Sequence, residues 1–267
     1  MRPLTVTDVR AMKAAGRRIA AVTAYDFPSA RLADAAGVDL ILVGDSLGTA
    51  VQGHATTLPV TLDQMIYHTA MVARAGTRAL VVGDMPFMSY QPSPEAALAN
   101  AGRFLSEGGA AAVKLEGGHP AAVERIHALV ESGIPVMGHV GLTPQSVHAM
   151  GGYRVQGRAE GDAGRIVAEA RAIEQAGAFA LILEGIPEKL AKQVTEAVAI
   201  PTVGIGAGVH CDGQILVWHD LLGLGEGHTP KFVKPYAHLS RSIRRALKAY
   251  ARDVAEGNFP GPDHTYH

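Results

Sequence analysis

The sequence predicts a single (β/α)8 barrel with an extra N-terminal helix, and three observations carry that expectation. Strand-length apolar runs alternate with amphipathic helical stretches along the 267 residues. Four of the runs end in an acid: Leu40-Ile41-Leu42-Val43-Gly44-Asp45, Leu80-Val81-Val82-Gly83-Asp84, Ala111-Ala112-Val113-Lys114-Leu115-Glu116 and Ala180-Leu181-Ile182-Leu183-Glu184. Several helical stretches end in small residues and glycine before the next strand, as in Ala35-Ala36-Gly37-Val38, Glu107-Gly108-Gly109-Ala110 and Gln175-Ala176-Gly177-Ala178.

An unbroken Val/Ile/Leu run is the mark of a strand buried on both faces. If the strands are parallel, their acidic ends emerge together at one end of the sheet. An unpaired charge is costly to bury, so these carboxylates are expected to turn away from the core. A doubly wound open sheet is the alternative. It is disfavoured because no G-x-G-x-x-G follows the first strand.

The strands are expected near Ile19–Ala24, Val38–Val43, Ala79–Val82, Ala111–Leu115, Pro135–His139, Ala180–Leu183, Thr202–Ile205 and Gln214–Val217. Helical patterns fall between them. Leu62, Met65, Ile66, Thr69 and Val72 share a helix that Thr61 can cap. Pro94 opens a helix carrying Ala101, Phe104 and Leu105, and Pro120 opens one carrying Val123, Ile126 and Val130. Ile166, Ala170, Ile173 and Ala176 form another, stopped by Gly177, and Pro187 starts the next. Arg2 to Gly16 reads as an added helix closing the barrel floor. The stretch from Tyr236 to Glu256 sets Ile243, Leu247, Tyr250 and Val254 at helical spacing. No linker interrupts the alternation, so residues 1–267 are expected to form one barrel domain with a helical tail.

Net charge is −1, which favours neither nucleic acid nor an anionic membrane as a partner. The one cysteine, Cys211, excludes an intrachain disulfide and a multi-cysteine zinc site, and is expected to pack in the core. No apolar run reaches membrane-spanning length and no leader pattern opens the chain, so a cytoplasmic location is expected.

A barrel places its site at the C-terminal ends of its strands. Read in order, those ends give Tyr25 and Asp26, Asp45 and Ser46, Asp84, Lys114 and Glu116, His139, Glu184, Gly204 to Gly208, and Asp220. Carboxylates crowded with few cations raise one another's pKa unless something neutralises them, and a divalent metal does so most simply. All-oxygen ligands point to Mg²⁺, with Mn²⁺ or Co²⁺ as substitutes. Asp45 and Asp84 could instead cap the helices that follow them. Glu116 is open between a metal-environment role and a salt bridge. Lys114 lies two residues before Glu116, hence on the same strand face. Glu184 ends a strongly apolar strand, where desolvation raises a carboxyl pKa toward that of a useful base. His139 could be structural or functional.

Together, several segments carry a family resemblance. They are Thr23-Ala24-Tyr25-Asp26, Val43-Gly44-Asp45-Ser46-Leu47-Gly48, Gly83-Asp84-Met85-Pro86-Phe87, Val113-Lys114-Leu115-Glu116-Gly117, Gly138-His139-Val140-Gly141-Leu142-Thr143-Pro144-Gln145 and Gly204-Ile205-Gly206-Ala207-Gly208. In this order the chain closely resembles the ketopantoate hydroxymethyltransferase family. The resemblance implies a barrel, one Mg²⁺ per subunit, a homodecamer, and the first committed step toward pantothenate and coenzyme A. It implies Asp45 and Asp84 as metal ligands with Glu116 in the metal's environment. Asp45, Ser46, Asp84, Lys114 and His139 would contact the ketoacid, and Glu184 would accept the proton. The implied reaction moves a hydroxymethyl group from 5,10-methylenetetrahydrofolate to 3-methyl-2-oxobutanoate, through a Mg²⁺-stabilised enolate, to give 2-dehydropantoate and tetrahydrofolate. Two other enzyme readings stay open: a metal-dependent ketoacid lyase or aldolase on the same barrel, and a Schiff-base aldolase using Lys114. A non-enzymatic binding or assembly module is a third, though it would have little use for acids at several strand ends.

Overall fold

The computed structural model describes residues 2–159, 161–225 and 229–266. The chain divides into two compact units, Met1–Val217 and Trp218–His267.

The first unit is a closed barrel of eight parallel strands in sequence order. They are β1 (Ile19–Thr23), β2 (Leu40–Val43), β3 (Leu80–Asp84), β4 (Ala112–Lys114), β5 (Val136–Gly141), β6 (Ala180–Glu184), β7 (Thr202–Ile205) and β8 (Gly213–Leu216). β8 closes the ring by pairing in parallel with β1, with Ala21 opposite Ile215. The expected strands are all present, with ends displaced by up to two residues. β2 starts late because Gly37, at φ +84°, ends the preceding helix and Asp39 turns the chain.

The helices are α1 (Val6–Ala14), α2 (Phe27–Ala35), α3 (Leu47–Ala50), α4 (Leu62–Ala73), α5 (Pro94–Ser106), α6 (Pro120–Glu131), α7 (Asp162–Gln175) and α8 (Glu188–Ala197). Local chemistry starts many of them. Thr5 with Asp8, Asp26 with Ser29 and Thr61 with Gln64 form reciprocal capping boxes. Ser93 caps α5, and the His119 ring accepts the Ala122 N–H to cap α6. α1 closes the floor as expected: Val9 and Met12 pack with Ile19, Leu40 and Leu80 at the N-terminal ends of the strands. Buried Asp39 joins the same end, accepting from Arg17 at 2.5 Å and from the Ala20 N–H at 3.1 Å.

The alternation fails once. Residues 206–212 carry the chain from β7 to β8 through a turn with no helix, using Gly206 and Gly208 at φ +62° and +78°. Asp26 is a helix cap rather than a site residue. Cys211 is buried, as expected.

The second unit holds α9 (Trp218–Leu222) and α10 (Leu239–Ala255). The Tyr236 N–H donates to Leu221 O and the Ser240 N–H to Gly223 O, tying the two helices. Ile243, Leu247, Tyr250 and Val254 of α10 are exposed. Asp220 lies on α9, in this unit, rather than at a strand end.

One packing contact bears directly on the site. A Cβ at Gly83 would lie 2.4 Å from Phe104 Cδ1, so glycine lets α5 press its fully buried Phe104 onto β3 beside Asp84. Phe104→Ala should therefore cost about 3–5 kcal/mol of unfolding free energy, measured by urea denaturation. A loss below 1 kcal/mol would show that this contact does not hold β3.

Candidate active site

The strand ends converge, and they do so out of water. Asp45 is 4% exposed, Asp84 1%, Lys114 3%, Glu116 5% and His139 1%. The expectation that the carboxylates avoid the interior is therefore corrected. They lie buried at the C-terminal end of the barrel, and what permits this is a dense set of donors.

Lys114 is the central cation. Its ammonium donates to Asp84 Oδ1 at 2.7 Å and lies 3.6 Å from Glu116 Oε1. Strand alternation places Lys114 and Glu116 on one face, as the sequence predicts. The register of β3 and β4 sets Asp84 directly opposite Lys114. Asp84 Oδ2 accepts the Asp45 backbone N–H at 3.1 Å, which puts the two aspartates side by side. Neither side chain caps the helix that follows it: Ser46 is the N-cap of α3, which has no side-chain cap, and Ser93 caps α5. Ser46 opens α3, and its hydroxyl lies 2.9 Å from the Tyr25 hydroxyl.

Gln145 is the residue that sequence reasoning missed. It sits on a one-turn helix after β5, 4% exposed. Its Nε2 donates to Asp45 Oδ2 at 3.0 Å and to Met85 O at 2.9 Å. Its backbone N–H donates to Glu116 Oε2 at 3.0 Å. Its Oε1 accepts from the Tyr90 hydroxyl at 2.9 Å. The only advance signal was a glutamine just beyond a strand end in Gly141-Leu142-Thr143-Pro144-Gln145.

On the other side of Glu116 stands His139. Its Nδ1 is 3.7 Å from Glu116 Oε1 and its Nε2 is 3.5 Å from Glu184 Oε2. Both ring nitrogens and Glu116 Oε1 are buried without hydrogen-bond partners. Glu184, at the end of β6, keeps 17% of its side chain exposed, so it faces the opening.

The electrostatics follow from four carboxylates around one ammonium. Burial pushes Glu184 up to about 8, against the lowering pull of Lys114. Burial likewise lifts Asp84 to about 7 and Glu116 well above the usual range, with neighbouring carboxylates adding to both. Burial alone would lower Lys114, but Asp84, Glu116 and Asp45 outweigh it and hold the amine protonated. Burial, reinforced by Lys114, holds His139 well below its ordinary value, so the ring is neutral.

The site is short of positive charge. Among the described residues no group of three or more His, Cys, Asp or Glu side chains forms a metal cage. The adjacent Asp45 and Asp84 are the pair available to a hard divalent cation, and Mg²⁺ commonly takes only one or two carboxylates and keeps its waters. Glu116 Oε1, which accepts no hydrogen bond, suits an acceptor for such a water rather than a direct ligand. The donor set thus fits Mg²⁺ in chemistry.

A closed parallel barrel with titratable groups packed at its C-terminal face, their pKa values displaced, defines an enzyme of the (β/α)8 class. Residues 3–262 match the family model for ketopantoate hydroxymethyltransferase. The chain is 57% identical to the 3-methyl-2-oxobutanoate hydroxymethyltransferase of Syntrophotalea carbinolica, over 98% of each chain. It is 54% identical to that of Geobacter metallireducens, over 99% of each. The chain belongs to the ketopantoate hydroxymethyltransferase family and is an enzyme of the transferase class, in pantothenate biosynthesis. Among solved structures, 2,3-dimethylmalate lyase shares the fold at 21% identity and a TM-score of 0.64, covering 99% of this chain and 89% of that one. Phosphonopyruvate hydrolase, crystallised with oxalate and Mg²⁺, shares it at 15% identity and a TM-score of 0.64, covering 98% and 93%.

Removing the central cation should be costly. Lys114→Met leaves buried carboxylates without their partner, so we expect a loss of about 3–5 kcal/mol in chemical denaturation at neutral pH. An unchanged midpoint would show that Lys114 does not hold the acidic cluster together.

Proposed function

We propose that this enzyme transfers a hydroxymethyl group from 5,10-methylenetetrahydrofolate to 3-methyl-2-oxobutanoate. The products would be 2-dehydropantoate and tetrahydrofolate, formed in the cytoplasm on the route to coenzyme A. The observation that carries this reading is the division of labour among the carboxylates. Asp45 and Asp84 lie side by side next to a protonated lysine, while Glu184 stands apart at the opening with its pKa lifted to about 8. An α-ketoacid needs charge on one end and a base at carbon 3, and this arrangement supplies both.

Asp45 and Asp84 would hold Mg²⁺, with Glu116 reached through water. A phosphonopyruvate hydrolase of the same fold was crystallised with oxalate, itself an analogue of an enolised ketoacid, and Mg²⁺. When bound, the metal supplies a Lewis acid that polarises the ketoacid's oxygens and offsets the charge that develops on them. Lys114, fixed by Asp84, would balance the substrate carboxylate, and Ser46, hydrogen-bonded to Tyr25, would donate to it. Glu184 would take the carbon-3 proton as general base. Neutral His139, 3.5 Å away, would keep the Glu184 carboxylate turned toward the substrate. The carbanion carbon then bonds to the methylene carbon of the folate, and water supplies the hydroxyl as the carbon–nitrogen bonds break. A Schiff-base route through Lys114 is disfavoured on physical grounds, because an amine held protonated by three carboxylates is a poor nucleophile.

Carbon-3 proton exchange with solvent tests this directly. With Mg²⁺ and ketoacid, exchange should rise about tenfold per pH unit until Glu184 is deprotonated. That limb ends at or below about 8, since a nearby cation lowers a carboxyl pKa. Glu184→Gln should lose exchange and product formation together, by about a hundredfold or more. Exchange at the wild-type rate with only product formation lost would move Glu184 to the folate half of the reaction.

We propose further that the enzyme works as a homo-oligomer, the decamer of its family. The exposed apolar row of Ile243, Leu247, Tyr250 and Val254 on α10 supports this. Sedimentation at micromolar concentration should show a species many times the 27.9 kDa chain mass. A species at the chain mass alone would contradict it.

A further inference from the structure

Gln145 stands between two of the acids and treats them alike. Its Nε2 donates to Asp45 Oδ2 at 3.0 Å, and its backbone N–H donates to Glu116 Oε2 at 3.0 Å. One oxygen of each carboxylate is thereby taken. Among the described residues no hydrogen bond reaches the other oxygen, Asp45 Oδ1 or Glu116 Oε1. Asp84 differs, since both its oxygens accept: Oδ1 from Lys114 at 2.7 Å and Oδ2 from the Asp45 N–H at 3.1 Å.

The side-chain amide of Gln145 has one orientation open to it. Its Oε1 faces two donors, the Tyr90 hydroxyl at 2.9 Å and Gln91 Nε2 at 3.1 Å. Its Nε2 faces two acceptors, Asp45 Oδ2 and Met85 O. Turning the amide over would set its oxygen against the Asp45 carboxylate and its N–H groups against those of Gln91. The loop that carries Tyr90 is itself fixed. Ser89 Oγ donates to Pro86 O at 2.7 Å, Asn100 Nδ2 donates to Ser89 O at 2.6 Å, and Met88 is a non-glycine held at φ +65°. The Tyr90 hydroxyl also accepts the Glu116 backbone N–H at 3.2 Å, so one tyrosine braces both the amide and the strand end. Tyr90 and Gln145 are both buried, and a buried donor is costly to leave without an acceptor.

This bracing bears on which ion the site accepts. Ca²⁺ takes roughly six to eight oxygens in a loose shell and often grips a carboxylate by both of its oxygens. Mg²⁺ demands a near-ideal octahedron, uses one or two carboxylates and keeps several waters. For Asp45 to grip an ion with both oxygens, Oδ2 would have to give up or share the Gln145 N–H. That N–H has no second acceptor, because Met85 O takes the other amide proton. The penalty falls on the two-oxygen mode that suits Ca²⁺. A one-oxygen mode through Oδ1 leaves the Gln145 bond intact.

We infer that Gln145 is a positioning residue that holds Asp45 to one open oxygen and so sets the site for Mg²⁺ against Ca²⁺. The inference rests on the proposed metal site at Asp45 and Asp84.

Competition followed by electron paramagnetic resonance is the test, with Mn²⁺ bound to the protein and displaced by Mg²⁺ or by Ca²⁺. In the wild type Mg²⁺ should displace Mn²⁺ at the lower concentration. Gln145→Met, of similar size but without the N–H, should shift the ratio of Ca²⁺ to Mg²⁺ affinity toward Ca²⁺ by about tenfold or more. Tyr90→Phe keeps the packing but no longer fixes the amide, and should shift the ratio the same way by about two- to tenfold. A merely structural role would weaken both ions together and leave the ratio where it was. An unchanged ratio in Gln145→Met overturns the inference, and if that variant fails to fold, an unchanged ratio in Tyr90→Phe does so. A wild type that prefers Ca²⁺ overturns it as well. Wild-type protein that binds no Mn²⁺ defeats the metal reading beneath, whereas Mn²⁺ binding with an unmoved ratio defeats this inference alone.

Discussion

The Lys114–Asp84 ion pair is the interaction on which the catalytic end of the barrel depends. At 2.7 Å, and with both side chains nearly free of solvent, it is a charge-assisted bond in a low-dielectric setting. One ammonium cannot neutralise Asp45, Asp84 and Glu116 together. Burial, with the neighbouring carboxylates adding to it, lifts the Asp84 and Glu116 pKa values, while the negative charge around the ammonium holds the lysine protonated. The fold tolerates that imbalance because Gln145 spends almost every donor and acceptor it has on the cluster, reaching Asp45, Glu116, Met85 and Tyr90. Further positive charge at the cluster would relieve that imbalance.

Barrel geometry explains why these groups meet at all. Asp45, Asp84, Lys114, Glu116 and Glu184 come from four strands far apart in the chain, yet parallel closure sends every strand end to one face. The β3–β4 register fixes the ion pair, and the β5–β6 register runs from His139 opposite Ile182 to Gly141 opposite Glu184. Precision then comes from behind the sheet. Phe104 against Gly83 holds the strand that bears Asp84, and with Ser46 at the N-cap of α3 and Ser93 capping α5, neither Asp45 nor Asp84 is spent on a helix cap.

Much of this was legible in the sequence. The apolar runs ending in acids located the strands and the face of the site, and Thr61, Pro94 and Pro120 marked helix starts that the structure reproduces within a residue. The same-face relation of Lys114 and Glu116 followed from strand periodicity alone. Other features were not legible, for stated physical reasons. Whether a carboxylate is buried depends on partners distant in sequence, and here those were Lys114, Gln145 and backbone N–H groups. Gln145 itself lies beyond a strand end on a one-turn helix, where no periodicity speaks for it. Asp26 looked like a member of the cluster because a strand end and a helix cap draw on the same residue types, and Asp220, which lies on α9, because it follows the β8 run closely in sequence. The helix-free passage from β7 to β8 was hidden because Gly206-Ala207-Gly208 reads equally well as a turn before a helix.

The account stands or falls on the charge deficit at Asp45 and Asp84. Electron paramagnetic resonance titration of the metal-free protein with Mn²⁺ measures it without reference to turnover. One Mn²⁺ should bind per chain, its spectrum should change when 3-methyl-2-oxobutanoate is added, and binding should be lost in Asp45→Asn and in Asp84→Asn. Absence of binding, or a bound ion indifferent to both substitutions, would contradict the reading of this cluster as a metal-dependent ketoacid site.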